Sequence, residues 1–157
     1  YDQLMVKRET INSPLTGIIK QLSEVDDQVF NSGTMGKGIA IEPSIGKVVS
    51  PVNGVVSTIF PTGHAIGITS DNGAEILIHI GINTVQLEGK YYTAQIKQGD
   101  QVKQGDLLVQ FDIEKIKEAG YSVITPIIIT NTNRYMDVIE TDKETIREKN
   151  VLLTLVY

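Results

Sequence analysis

The sequence predicts an all-β sandwich or barrel, built on a β motif that occurs twice. Three observations carry this. Short runs rich in Val, Ile and Thr are punctuated throughout by Gly, Pro, Asn and Asp. The turn signals recur about every 8 to 12 residues, the spacing of an all-β domain. One corner repeats: Ser13-Pro14-Leu15-Thr16-Gly17-Ile18-Ile19 has the same form as Ser50-Pro51-Val52-Asn53-Gly54-Val55-Val56. Proline at a strand's start, with glycine shortly after, marks a bend into a strand.

Taken in order, the first strand, Thr16 to Leu22, leaves the first corner. Gly38 to Glu42 and Lys47 to Ser50 follow, and Gly54 to Phe60 leaves the second corner. Ala65 to Ser70 and Glu75 to Ile80 flank Asp71-Asn72-Gly73, a strong turn signal, and form a β-hairpin. Tyr92 to Ile96 comes next. Ile96-Lys97-Gln98-Gly99-Asp100 is then repeated as Val102-Lys103-Gln104-Gly105-Asp106, ahead of a strand over Leu107 to Asp112. Ile124 to Ile129 contains a fainter echo of the corner, Thr125-Pro126-Ile127, and Val151 to Val156 is the last strand. Helix is scarce. Ile113 to Ala119 makes two turns and stops at Gly120, which suits a C-cap, and Thr141 to Glu148 is expected to make another short helix.

At 157 residues the chain is one domain, 1–157. A domain of this size buries roughly 70% of the surface its unfolded chain exposes, enough for a core. There is no cysteine, which excludes disulfides, thiolate chemistry and cysteine-type zinc sites. The net charge of -5 argues against sequence-independent nucleic-acid binding, which needs clustered Lys and Arg. No run of about 18 apolar residues is present to span a membrane. The charged start, Tyr1 to Glu9, is no signal peptide. It lacks an initiator Met, so the chain is expected to be cut from a longer protein.

The two histidines, His64 and His79, bracket the predicted hairpin. With Asp71 and Asn72 as central turn residues they face each other directly. With Asn72 and Gly73 central, His79 opposes Ile66 and His64 is its diagonal neighbour. Directly opposed Cβ atoms lie about 4.5–5.5 Å apart and diagonal ones about 7–8 Å, so either two-residue turn brings both imidazoles to one small group. A three-residue turn without a bulge puts them on opposite faces. The run Ile76-Leu77-Ile78-His79-Ile80 suits a strand buried on both faces or lying under an apolar surface.

Such a pair can transfer a phosphoryl group, bind a metal or make buried hydrogen bonds. For phosphoryl transfer, a neutral imidazole is a good nucleophile near pH 7 because its ordinary pKa is about 6.5. The transition state carries charge on its equatorial oxygens, to which a second imidazole can donate a hydrogen bond. Thr62, two residues before His64, can fix that imidazole's tautomer, or is simply a solvent-facing strand threonine. For zinc, two histidines leave a tetrahedral site short of a ligand, which an Asp, a Glu or a partner would have to supply.

At these residues the chain resembles the glucose-type enzyme IIA domain of the bacterial phosphoenolpyruvate-dependent sugar phosphotransferase system. The resemblance rests on Ser13-Pro14-Leu15-Thr16-Gly17, Asp27-Gln28-Val29-Phe30, Met35-Gly36-Lys37-Gly38-Ile39-Ala40-Ile41, Ser50-Pro51-Val52-Asn53-Gly54, Phe60-Pro61-Thr62-Gly63-His64-Ala65-Ile66-Gly67 and Glu75-Ile76-Leu77-Ile78-His79-Ile80-Gly81-Ile82-Asn83-Thr84-Val85, and covers essentially residues 11–157. It implies an antiparallel β-sandwich with duplicated hybrid motifs. It further implies that His79 is phosphorylated on Nε2, that His64 is the essential neighbour and that Thr62 is the hydrogen-bond partner of His64. No cofactor is required beyond the covalent phosphoryl group, although partner contact or buffer can bring zinc to His64 and His79.

The implied donor is the histidine-containing phosphocarrier protein, and the implied acceptor is a cysteine of an enzyme IIB domain. An apolar rim of Val29, Phe30, Phe60 and Val85, with Asp27 beside it, matches the family's docking surface; plain core packing explains the four apolar residues equally well. Asn83 and Lys37 stand where aspartate is usual, and Gly63 replaces a larger polar residue, which alters partner preference rather than chemistry. Gly89-Lys90-Tyr91-Tyr92-Thr93 and Glu118-Ala119-Gly120-Tyr121 resemble the β-glucoside or sucrose branch. There the domain is often the C-terminal part of a membrane permease, which implies a cytoplasmic location, tethered to the inner face of the membrane.

Three other readings compete. A zinc metallopeptidase on a related duplicated fold needs a further histidine and an aspartate, usually including a His-x-His pair, and the chain has only two histidines and no such pair. A lipoyl- or biotinyl-type carrier matches the Gly99 to Asp106 stretch but needs a lysine at the hairpin tip, where Asp71-Asn72-Gly73 stands. A phosphorylation-dependent regulatory module for transporters or kinases is compatible with the same site, because a phosphoryl group on His79 would charge an apolar docking face.

Overall fold

The computed structural model describes residues 7–157; of the charged start, residues 1–6 lie outside the described residues. The strands are β1 (Arg8–Asn12), β2 (Gly17–Lys20), β3 (Lys37–Pro43), β4 (Lys47–Val49), β5 (Gly54–Ile59), β6 (Ala65–Ser70), β7 (Glu75–His79), β8 (Tyr92–Ala94), β9 (Gln101–Val102), β10 (Leu107–Phe111), β11 (Thr125–Ile129), β12 (Asp137–Glu140), β13 (Thr145–Ile146) and β14 (Val151–Val156). Two short helices, α1 (Gln28–Asn31) and α2 (Ile113–Glu118), interrupt them. The pairings among these strands are antiparallel. An eight-stranded sheet runs β13-β2-β3-β11-β7-β6-β5-β9, and two three-stranded sheets run β1-β14-β12 and β4-β10-β8. The architecture is the predicted antiparallel β-sandwich. Among the described residues, no helix is long and apolar enough to cross a membrane.

The long sheet is covered on both faces, which explains its near-continuous apolar runs. Ile39, Ile41, Ile76, Ile78, Ile127 and Ile129 point into the main core. The residues between them, Ala40, Leu77 and Ile128, face a second cluster with Val25, Phe30 and Ile82. His79 is in step with Leu77 along β7 and so lies on this second face, against the Phe30 ring.

The duplication seen in the sequence is a structural duplication. The Ser13 hydroxyl donates to the Leu15 carbonyl at 2.6 Å, and the Ser50 hydroxyl to the Val52 carbonyl at 2.7 Å. The side-chain oxygens of Thr16 and Asn53 accept from the backbone of Glu148 (3.0 Å) and Gln104 (2.8 Å). Gly17 pairs with Ile146 of β13, and Gly54 with Val102 of β9. The two corners also brace each other: the Asn12 N–H donates to the Pro51 carbonyl at 3.1 Å, and the Val49 N–H to the Pro14 carbonyl at 2.9 Å.

This arrangement corrects one expectation. Thr141 to Glu148 is not a helix; it carries β13 and the entry to the turn around Lys149. Ile146 is only 4% exposed, and its place opposite Gly17 overrides the segment's local preference. The second short helix is instead α1, started by the Asp27 carboxylate, which accepts from the Val29 N–H at 2.9 Å. The expected helix after Asp112 forms, and Gly120 at φ +94 follows its end.

Candidate functional site

The hairpin β6–β7 carries the site, with a turn that differs from either two-residue form. Asp71, Asn72 and Gly73 make a three-residue loop, with the Gly73 N–H donating to Ser70 at 2.9 Å and the Ser70 N–H to Ala74 at 2.8 Å. Gly73 sits at φ +95, the left-handed position such loops require. The strands therefore pair Ala65 with His79 and Thr69 with Glu75. In an unbroken strand this register would separate the two histidines onto opposite faces. They meet because His64 lies outside β6, in the bend after Gly63 at φ +76. Its carbonyl still accepts from the Ile80 N–H at 2.6 Å. The expected proximity holds, but the local bend produces it, not the turn type.

The imidazole centroids of His64 and His79 are 5.1 Å apart, edge to face at 81°. His79 Nδ1 lies 2.7 Å from the Gly81 carbonyl. A carbonyl only accepts, so the proton is on Nδ1 and the lone pair on Nε2. His64 Nδ1 is hydrogen-bonded to the Thr62 hydroxyl, which removes the reading of Thr62 as a merely solvent-facing residue. Burial, and then the neighbouring His79, lower the His64 pKa from 6.5 to about 4. Burial also holds His79 below its ordinary value; the Gly81 hydrogen bond and the Asp27 carboxylate offset part of that effect. Both rings are neutral at pH 7.

Aromatic rings wall the pair. Phe30, buried, packs 5.0 Å from His79, and Phe60, 46% exposed, sits edge-on 5.3 Å from His64. Val29 (51% exposed) and Val85 (47%) present free apolar surface on adjoining elements, whereas Phe30 is a packing residue at 4%. The anticipated rim thus divides into three exposed side chains and one buried one. Gly63 and Asn83 both have positive φ, +76 and +60, a left-handed backbone that glycine and asparagine tolerate. Among the described residues, no group of three His, Cys, Asp or Glu side chains is placed to hold a metal ion. A zinc ion on this pair would need a ligand from elsewhere.

Sequence reasoning did not find the groups that hold the backbone here. The Ile80 carbonyl accepts from the Thr84 hydroxyl at 2.7 Å and from the Tyr92 hydroxyl at 2.8 Å. Thr84 lies four residues on, a spacing open to inspection, but Tyr92 arrives only through the tertiary fold.

The family profile described as the phosphoenolpyruvate-dependent sugar phosphotransferase system, EIIA 1, matches residues 9–135. The chain is similar to the PTS system beta-glucoside-specific EIIBCA component of Bacillus subtilis (strain 168), 66% identical over 128 residues, covering 82% of this chain and 21% of that protein. It is similar to the PTS system glucose-specific EIIA component of Bacillus cereus, 52% identical over 125 residues, covering 80% of this chain and 76% of the relative. Among solved structures, glucose permease IIA from Mycoplasma capricolum is similar with a TM-score of 0.85 and 34% identity, covering 94% of this chain and 96% of that one. The chain spans about a fifth of the length of the beta-glucoside-specific relatives it matches.

Proposed function

The chain belongs to the phosphoenolpyruvate-dependent sugar phosphotransferase system EIIA 1 family, and from that membership we propose that it is a phosphocarrier acting through His79. The observation that carries the proposal is the bond from His79 Nδ1 to the Gly81 carbonyl, which leaves Nε2 as a neutral nucleophile beside a second imidazole. Nε2 attacks the phosphorus of a phosphohistidine on the histidine-containing phosphocarrier protein. The new N–P bond forms as the donor's N–P bond breaks, and the donor imidazole leaves with the electron pair. The thiolate of a cysteine on an enzyme IIB domain then takes the phosphoryl group: an S–P bond forms and the His79 N–P bond breaks.

Thr62, donating to His64 Nδ1, leaves a proton on His64 Nε2, which hydrogen-bonds a phosphoryl oxygen where charge gathers. Val29, Phe60 and Val85 form the dry rim on which both partners dock in turn. Phosphorylation charges that rim, which also favours a regulatory role toward other proteins. Similarity to beta-glucoside-specific EIIBCA components supports an acceptor IIB domain on the same polypeptide and a site at the inner face of the membrane.

The test is intact-mass measurement after mixing the domain with phosphoenolpyruvate, enzyme I and the phosphocarrier protein. One acid-labile phosphoryl group is gained by the wild type and none by His79→Ala. His64→Ala gains the group but cannot pass it on. No gain in the wild type with its cognate phosphocarrier overturns the proposal.

A further inference from the structure

Gly81 supplies the carbonyl that fixes the His79 tautomer, and both peptide groups flanking it are anchored. On one side the Ile82 N–H donates to the Ser122 carbonyl at 3.0 Å. On the other the Ile80 carbonyl takes the Thr84 and Tyr92 hydroxyls. Gly81 is at φ +89, and a Cβ there would lie 2.5 Å from the Thr84 methyl carbon and 2.8 Å from the Ser122 carbonyl oxygen. The segment therefore has one backbone path, and its carbonyl points one way.

Tyr92 reaches both halves of the site. Its hydroxyl holds the segment that leaves His79 at the end of β7. Its Cβ lies 3.5 Å from where a Gly63 Cβ would stand, on the turn that leads into His64. Its ring stacks on Phe111 at 6.3 Å, which fixes it from behind. Burial pushes the hydroxyl up to about 12, so it stays protonated and donating across the working pH range. Tyr92 lies in the Gly89 to Thr93 stretch that resembles the β-glucoside or sucrose branch, and its hydroxyl bonds to neither imidazole but acts on the backbone between His79 and Gly81.

We propose that Tyr92 is a positioning residue: through the Ile80 carbonyl it orients the Gly81 carbonyl, and thereby holds the His79 proton on Nδ1 and bares Nε2 for attack. Thr84 shares the task. The proposal rests on His79 as the phosphoryl acceptor, but the tautomer itself is observable whether or not transfer occurs.

The test compares wild type, Tyr92→Phe and Tyr92→Phe/Thr84→Val by long-range nitrogen–proton correlation NMR of the His79 ring, alongside phosphotransfer kinetics. Tyr92→Phe keeps the stacked ring and removes only the donor. It should raise the population of the Nε2–H form and lower kcat for acceptance about fivefold, the scale of one neutral hydrogen bond, with KM for the phosphocarrier unchanged. The double variant should shift both readouts further. Val56→Ala, in the main core, controls for general destabilisation and should leave the tautomer in place. An unchanged tautomer in the double variant overturns the proposal, even if transfer slows. A tautomer shifted in the variants, where even the wild type never gains a phosphoryl group, upholds the positioning role and sinks the phosphocarrier reading instead.

Discussion

At the residue scale, the protonation of the two imidazoles links function to stability. Each has a folded pKa below its ordinary value, so the unfolded chain binds more protons as the pH falls. Stability from this source is complete above about pH 6.5 and is lost on acidification toward the folded values, about 4 for His64. We expect the wild type to lose about 2 kcal/mol more between pH 7.5 and 4.5 than His64→Gln, measured by urea unfolding at both pH values. Equal losses would mean that His64 is not held neutral. For the same reason, phosphoryl acceptance by His79 should persist below pH 6.5 and fall only beneath its lowered pKa. Single-turnover rates across pH 5 to 8 would show this as a flat upper limb; a fall centred at 6.5 would place His79 in an ordinary aqueous setting.

At the element scale, the tip of the β6–β7 hairpin is clamped by the segment that follows the neighbouring strand β11. Asn131 donates to the Gly73 carbonyl at 2.9 Å and accepts from the Glu75 N–H at 3.0 Å. Arg134 adds a 3.1 Å bond to the same carbonyl. Asn131→Ala should cost about 1–2 kcal/mol for two lost hydrogen bonds, read from the shift in urea midpoint at constant slope. A cost near zero would mean that the loop holds its own shape. This clamp explains why turn chemistry alone misjudged the hairpin. Asp71-Asn72-Gly73 is compatible with two-residue and three-residue loops. The choice of a three-residue loop is consistent with bonds to Asn131 and Arg134, more than fifty residues away in the sequence. Likewise Thr141 to Glu148 has helix-compatible residues, and long-range pairing with Gly17 and Ile18 makes part of it a strand.

At the scale of the whole molecule, two copies of one corner interlock, and positions equivalent by the duplication obey the same backbone demand. Lys149 adopts φ +76 where its counterpart, Gly105, adopts +92. Lys149→Gly should therefore raise stability by about 0.5–1 kcal/mol, the relief of a left-handed residue less the added freedom of the unfolded chain. A lower thermal midpoint would count against the equivalence. The duplicated corner was legible because it needs particular residue types: a serine whose hydroxyl caps a carbonyl two residues on, a proline, and a glycine where backbones press together. The six inner strands of the long sheet were legible from their apolar runs. The histidine motifs were also legible as a candidate site, because their residues match a known pattern. Strands β9 and β13, of two residues each, carry too little periodicity to stand out, and α1 is one turn set by a single cap. By itself, then, the sequence determined the fold class, the duplication and the identity of the two imidazoles, since these depend on local composition and spacing. Only the tertiary structure decided how the imidazoles meet, which nitrogen of His79 holds its proton and which hydroxyls stand around them, because those depend on a bend at Gly63 and on groups brought together from distant parts of the chain.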